Sequence, residues 1–257
     1  MTLRVDGLLN LRDLGGTPTG TGATVQPGRL WRSENQTLLT PAALDALVEQ
    51  GLSDVIDLRT DFEVNGSPSP FAERAGVAYH HLSYFPTAAD DDADVLDQAL
   101  PWVDNELKVT PVTGNEHADG YLMFLAMRPD SVIAALRAIA GAEGAALVHC
   151  AVGRDRTGFT VALALALVGV ADDVIAADYA RTADAIVDVI ANLWKDPTYE
   201  AEAGGRIDPD AVRPTPEPML AILDHLTRTH GSVRAALTPL GWTDADQAAL
   251  ERHLLDA

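Results

Sequence analysis

One cysteine, Cys150, serves a chain of 257 residues. A single thiol rules out an intramolecular disulfide and any cysteine-rich zinc site. Aromatic residues are scarce at 5%, so the core has to be built mainly from Ala, Leu and Val. Positive charge is the third shortage: 18 Lys and Arg face 38 Asp and Glu, a net charge of −20. With no basic stripe to displace counterions, nucleic acid is excluded as a partner class. Long hydrophobic runs are missing as well. The apolar stretch 159–168 is too short to span a bilayer and ends at Gly169. Residues 1–10 lack the basic start and apolar run of a signal peptide. These absences lead to the expectation of a cytoplasmic protein without an integral membrane segment, signal-less secretion being left open.

Against that background one stretch organises the chain: His149-Cys150-Ala151-Val152-Gly153-Arg154-Asp155-Arg156-Thr157-Gly158. It follows an apolar run, 145–148, and precedes the apolar stretch 159–168. Strand, glycine-bearing loop and helix together build an anion site from backbone. The N–H groups of Ala151, Val152, Gly153 and Arg154 turn inward, and the helix dipole, roughly half an elementary charge, points at the same spot. A thiolate at Cys150 is stabilised by those dipoles and by Arg156. Arg156 also offers a planar fork that matches two phosphate oxygens. A lone cysteine is by itself best read as a small buried hydrophobe. The flanking His149, Gly153 and Arg156 overturn that reading.

The rest of the chain alternates strands and helices. Arg29 to Arg32, Ser53 to Leu58 and Val77 to Tyr84 read as strands. Thr40 and Pro41 open a helix that Gly51 stops. Arg59 follows the end of a strand, where α/β proteins place ligand groups. It reads equally as a phosphate-site residue or as an ion-pair partner of Asp61 or Glu63. Arg12 and Asp13 either brace the active loop or pair with each other. His80 and His81 face opposite sides of a strand and so cannot chelate one ion. Residues 86–116, which hold Asp90, Asp91 and Asp92, read as a lid insertion or a solvated loop. Further helices are expected at Asp119–Arg128, at Ser131–Ala140 behind a cap at Asp130, and from Asp172 to about Trp194. Residues 195–214 read as a surface loop, followed by C-terminal helices of which Asp244 caps the last. No repeat or linker divides residues 1–257, which read as a single domain. The fold class is α/β: a mainly parallel central sheet flanked by helices, with a helical lid or C-terminal helices over the pocket.

The spacing His-Cys-x5-Arg-Thr-Gly resembles the signature of the cysteine-dependent protein tyrosine phosphatases. Asn10 to Gly16, Gly28 to Ser33 and Asp57-Leu58-Arg59 narrow the resemblance to a bacterial branch, and Gly231-Ser232-Val233 carries it toward the C-terminus. The resemblance implies a tyrosine phosphatase-like fold and hydrolysis of phosphate monoesters without a metal or other cofactor. Cys150 would attack phosphorus, Arg156 and the loop N–H groups would hold its oxygens, and Thr157 would hydrogen-bond the thiolate. Asp155, present at this position in that branch, is the first candidate for general acid. The alternative is an acid from the 90–92 run, although no Trp-Pro-Asp sequence occurs. Arg154 stands where the branch often has lysine and keeps a positive charge for acidic head groups. The expected partners are thus phosphorylated proteins, phosphotyrosine first, with phosphoserine, phosphothreonine and phosphoinositides beside them. Two other readings stay open at this point: a catalytically silent phosphate-binding module, and a rhodanese-like sulfurtransferase.

Overall fold

Five strands form one sheet: β1 (Arg12–Asp13), β2 (Leu30–Ser33), β3 (Leu52–Asp57), β4 (Ala78–His81) and β5 (Ala145–His149). The computed structural model describes residues 3–86, 111–203, 208 and 212–256. Strand order is β1-β2-β5-β3-β4, parallel throughout except for β1 against β2. The last strand in sequence is therefore the middle one in space. Along β5, Ala145 and Leu147 join a core with Trp31, Leu47 and Val55, while Ala146 and Val148 join the opposite core with Leu30, Ile56 and Phe159. A strand buried on both faces has no polar side to show, which is why it reads as an unbroken apolar run.

Eleven helices flank the sheet among the described residues. Helix α1 (Pro41–Glu49) starts at Thr40, whose hydroxyl accepts from the Ala43 N–H, and buries Leu44 and Leu47. Then come α2 (Asp61–Gly66), α3 (Glu116–Met127), α4 (Pro129–Gly141) and α5 (Asp155–Leu167). Helix α5 buries every residue from Asp155 to Leu165, as a helix without a polar stripe must. Next are α6 (Asp172–Ala180), α7 (Ile186–Leu193) and α8 (Pro197–Ala203), with a 3₁₀ turn at Arg181–Asp184 between the first two. The chain closes with α9 (Glu217–His230), α10 (Val233–Leu237) and α11 (Asp244–Leu254).

Several local expectations need correction. Asp130 does not cap α4: it lies in the first turn and pairs with Arg128 at 2.8 Å, while Pro129 opens the helix. Thr243, not Asp244, caps α11, in a reciprocal box with Asp246. The surface loop expected at 195–214 contains α8, and Tyr199 within it is fully buried. Strand β4 ends at His81, three residues short of the expected boundary. His80 bonds Asp54 and His81 bonds the Arg59 carbonyl, each at 2.9 Å, so the pair indeed faces two ways. Of the stretch 86–116, residues 87–110 lie outside the described residues, and Asp90, Asp91 and Asp92 with them. At its far end Asp119 accepts from the Val112 and Thr113 N–H groups at 3.1 and 2.8 Å and ties the chain into α3.

Candidate active site

The loop 150–154 runs from the C-terminal end of the central strand into α5. Its shape is set from outside. The His149 carbonyl accepts from the Leu58 N–H at 2.9 Å, and the Ala151 carbonyl from the Asn35 N–H at 3.0 Å. The Asn10 amide donates to the carbonyls of Val152 and Gly153 at 3.4 and 3.3 Å. Arg32 Nη2 donates to the Gly153 carbonyl at 2.8 Å. In a planar trans peptide the next residue's N–H points opposite to the carbonyl. The carbonyls of Ala151, Val152 and Gly153, held from outside, therefore turn the N–H groups of Val152, Gly153 and Arg154 inward. Gly153 has φ +69°, and a Cβ there would run into the Ser33 carbonyl, so the turn and its contact with β2 both require glycine. No side chain caps the start of α5, which leaves its first N–H groups to the same hollow.

Arg156 lies fully buried under this loop. Its Nη1 reaches Glu63 at 2.6 Å and the Leu58 carbonyl at 3.1 Å, and its Nη2 reaches the other Glu63 oxygen at 3.1 Å. Burial works against the charge, but Glu63 and then the Cys150 sulfur hold the guanidinium well above its ordinary pKa. Thr157 is also fully buried, and its hydroxyl has no hydrogen-bond partner among the described residues. Burial lowers the His149 pKa to about 4, so the ring is neutral. At 3.6 Å from Asp57 its Nε2 is beyond hydrogen-bond range, and its Nδ1 lies 3.2 Å from the Cys150 carbonyl.

A family model described as the tyrosine phosphatase family matches residues 3–256. The chain belongs to the tyrosine phosphatase family. The triple specificity protein phosphatase PtpB of Mycobacterium tuberculosis is 32% identical over 215 residues, 73% of this chain and 71% of that protein. A Cupriavidus necator protein provisionally named as a tyrosine-protein phosphatase is 33% identical over 183 residues, 69% of this chain and 61% of its own. A tyrosine-protein phosphatase of Nostoc commune is 32% identical over 146 residues, 56% and 45% of the two chains. The sulfurtransferase reading of the loop falls away.

In this phosphatase the remaining candidates divide. Arg154 and Asp155 pair with each other: Arg154 Nε lies 2.9 and 3.0 Å from the two carboxylate oxygens. Asp155 also accepts from the Tyr121 hydroxyl, which shares a 2.9 Å bond with Tyr179. Burial would raise the Asp155 pKa, but Arg154 and the Tyr121 hydrogen bond outweigh it and hold the carboxyl below its usual range. Arg59 is fully buried and forked onto Asp57, with contacts of 2.6 to 3.1 Å, and onto the Ser67 carbonyl at 2.8 Å. Its carboxylate partner is thus Asp57, neither Asp61 nor Glu63, because residues i and i+2 in extended chain share a face. Arg12 does not pair with Asp13, which caps the Gly15 and Gly28 N–H groups at 2.9 and 2.7 Å. Its partner is Asp178, 2.7 Å away on α6.

Sequence reasoning missed the roles of Glu63, Tyr121 and Asp178 at this site. Glu63 alone left a trace, since Thr60-x-x-Glu63 is a legible capping box. Cys150 itself is only 1% exposed. A small pocket beside the loop is lined by Ala151, Leu38, Val189, Leu193 and Asp196, which brings α7 and the turn after it beside the loop. Asp196 accepts from Thr37 at 3.1 Å and from the Ser67 hydroxyl, tying that turn to the segments around the site. No helix among the described residues is long and apolar enough to cross a membrane.

Proposed function

We propose that this tyrosine phosphatase hydrolyses phosphate monoesters through a phosphocysteine intermediate, with residues 1–257 acting as one phosphatase domain. The observation that carries the reading is the outward turn of the loop carbonyls, which leaves a ring of N–H donors above Cys150 and beside Arg156. The Cys150 thiolate attacks phosphorus, the Sγ–P bond forms and the ester P–O bond breaks. Charge spreads onto three equatorial oxygens, which meet the N–H groups of Val152, Gly153 and Arg154 and the Arg156 guanidinium. Water, passing a proton to the carboxylate of Asp155, then attacks phosphorus, the Sγ–P bond breaks, and the Thr157 hydroxyl receives the departing thiolate.

The leaving oxygen takes its proton from Asp155. That carboxyl is ionised in the free enzyme, so the proton arrives with the substrate: a phosphate monoanion beside an ionised Asp155 carries the same proton count as a dianion beside the protonated acid. Phosphotyrosine is the first substrate. The name of the mycobacterial relative, triple specificity phosphatase, supports extending the range to phosphoserine, phosphothreonine and phosphoinositides. Arg59, whose fork is taken up by Asp57, is left outside the phosphate shell in this reading.

The test is hydrolysis of a small aryl phosphate in the presence of chelator, by wild type and by Cys150→Ser. Chelator-resistant turnover, a trapped phosphothiol in an acid quench, and loss of both in the variant are expected. A folded wild type that binds phosphate without turnover would leave the silent binding module as the reading.

A further inference from the structure

Beside the loop lies a largely buried cluster that the proposed reaction does not use. Asp178 on α6 receives Arg12 Nε at 2.7 Å and Arg32 Nη1 at 2.8 Å. Each of these arginines hands the contact on. Arg32 Nη2 holds the Gly153 carbonyl at 2.8 Å. Arg12 Nη1 binds both the backbone and the side-chain oxygen of Asn10, and the Asn10 amide holds the Val152 and Gly153 carbonyls. One carboxylate thereby orients both side chains that hold the carbonyls of Val152 and Gly153. Arg12 and Arg32 lie on adjacent strands and repel each other. Burial and then Arg32 lower the Arg12 pKa to about 10, Asp178 being the counter-charge.

We propose that Asp178 is a positioning residue for the phosphate-binding loop, acting through Arg12, Arg32 and Asn10 to fix the direction of its N–H groups. The proposal rests on the reading of that loop as the catalytic phosphate site. It makes a prediction opposite in sign to simple electrostatics. Removing a negative charge near an anion site tightens phosphate binding if charge alone matters. Releasing the two arginines lets the carbonyls turn and weakens it.

The experiment is Asp178→Asn, an isosteric change, with three readouts: inhibition by inorganic phosphate, kcat and KM on a small aryl phosphate, and the thermal midpoint. Phosphate inhibition weaker by about tenfold, with kcat/KM down about 10²-fold in a folded protein, is expected, in line with the cost of misplacing catalytic groups by an ångström. A residue that only stabilises the fold would lower the midpoint and leave phosphate inhibition unchanged. Unchanged or tighter inhibition therefore overturns the proposal. If Asp178→Asn does not fold, Arg32→Lys carries the same test, because a single ammonium cannot bridge Asp178 and the Gly153 carbonyl as the fork does. Wild-type turnover, measured alongside, tests the catalytic reading separately. An inactive wild type whose phosphate binding still weakens in Asp178→Asn would sink that reading and leave the brace standing.

Discussion

Replacing Glu63 by glutamine is expected to damage stability and turnover together, and phosphate should repair the first but not the second. Glu63 and Arg156 are both fully buried, joined by contacts of 2.6 and 3.1 Å. Glu63 Oε2 also accepts the Thr60 N–H at 2.7 Å at the start of α2. Glutamine keeps one acceptor and turns an NH₂ toward the guanidinium or toward Thr60. Arg156 is then a buried charge without its counter-charge, which costs about 3–5 kcal/mol. A phosphate in the loop supplies negative charge to the same guanidinium, so saturating phosphate should close much of that gap. Turnover does not recover, because the fork is no longer held in plane, and a misplacement of an ångström costs about 10²-fold. Urea unfolding with and without phosphate, beside kcat on an aryl phosphate, reads both effects. A variant within about 1 kcal/mol of wild type and equally active would refute the reasoning, since the Leu58 carbonyl would then suffice to hold Arg156.

Three further outcomes are expected. Tyr121→Phe removes a hydrogen bond that lowers the Asp155 pKa, so the acid keeps its proton to higher pH and the basic limb of the kcat profile moves up; a limb that stays or moves down removes Asp155 or Tyr121 from the step. Gly153→Ala forces an L side chain to φ +69°, about 1–2 kcal/mol of backbone strain, and drives its Cβ into the Ser33 carbonyl. Phosphate inhibition should disappear in that variant, and wild-type inhibition would show that the loop tolerates another path. His149 titrates at about 4 when folded and near 6.5 when unfolded, so below pH 6.5 the unfolded chain takes up a proton that the folded one refuses. Stability should fall by about 1.4 kcal/mol per pH unit between those values, and His149→Gln should flatten that slope in urea melts at pH 7 and 4.5. Equal slopes would mean that other groups govern acid unfolding.

The loop proposed as catalytic is legible in the sequence because all its parts are local. Cys150, Gly153 and Arg156 lie within seven residues, and strand and helix on either side show as apolar runs. What orients the loop comes from elsewhere in the chain. Glu63 is 93 residues from Arg156, Asp178 is 146 from Arg32, and Tyr121 is 34 from Asp155. A sequence shows that an arginine needs a partner when buried, but not which of 38 acids supplies it. Arg59 marks the boundary. An ion pair was one of its two readings, and its true partner, two residues back on the same face of the chain, was within reach of the strand period. Thr243 and Asp246 were likewise readable as a reciprocal cap, a shorter-armed version of the usual Ser/Thr-x-x-Glu box.

A chain of net charge −20 that binds anions raises the question of where the attraction comes from. Little of it comes from a surplus of arginine, since the five arginines around the loop face four carboxylates. Arg156 faces Glu63, Arg154 faces Asp155, Arg59 faces Asp57, and Arg12 and Arg32 share Asp178. At a distance these pairs nearly cancel, and at physiological salt the wider negative field is screened beyond about 8 Å. What remains is short-ranged: the inward N–H groups of the loop and the uncapped start of α5. Buried pairs of this kind are weak contributors to stability, because desolvation offsets most of the attraction between partners. Their effect here is directional. Each carboxylate pins a guanidinium whose other donors hold a backbone carbonyl, that of Gly153 for Arg32, Asn10 for Arg12, Ser67 for Arg59, Leu58 for Arg156 and Val212 for Arg154, and that converts the pairs into a fixed frame around the loop.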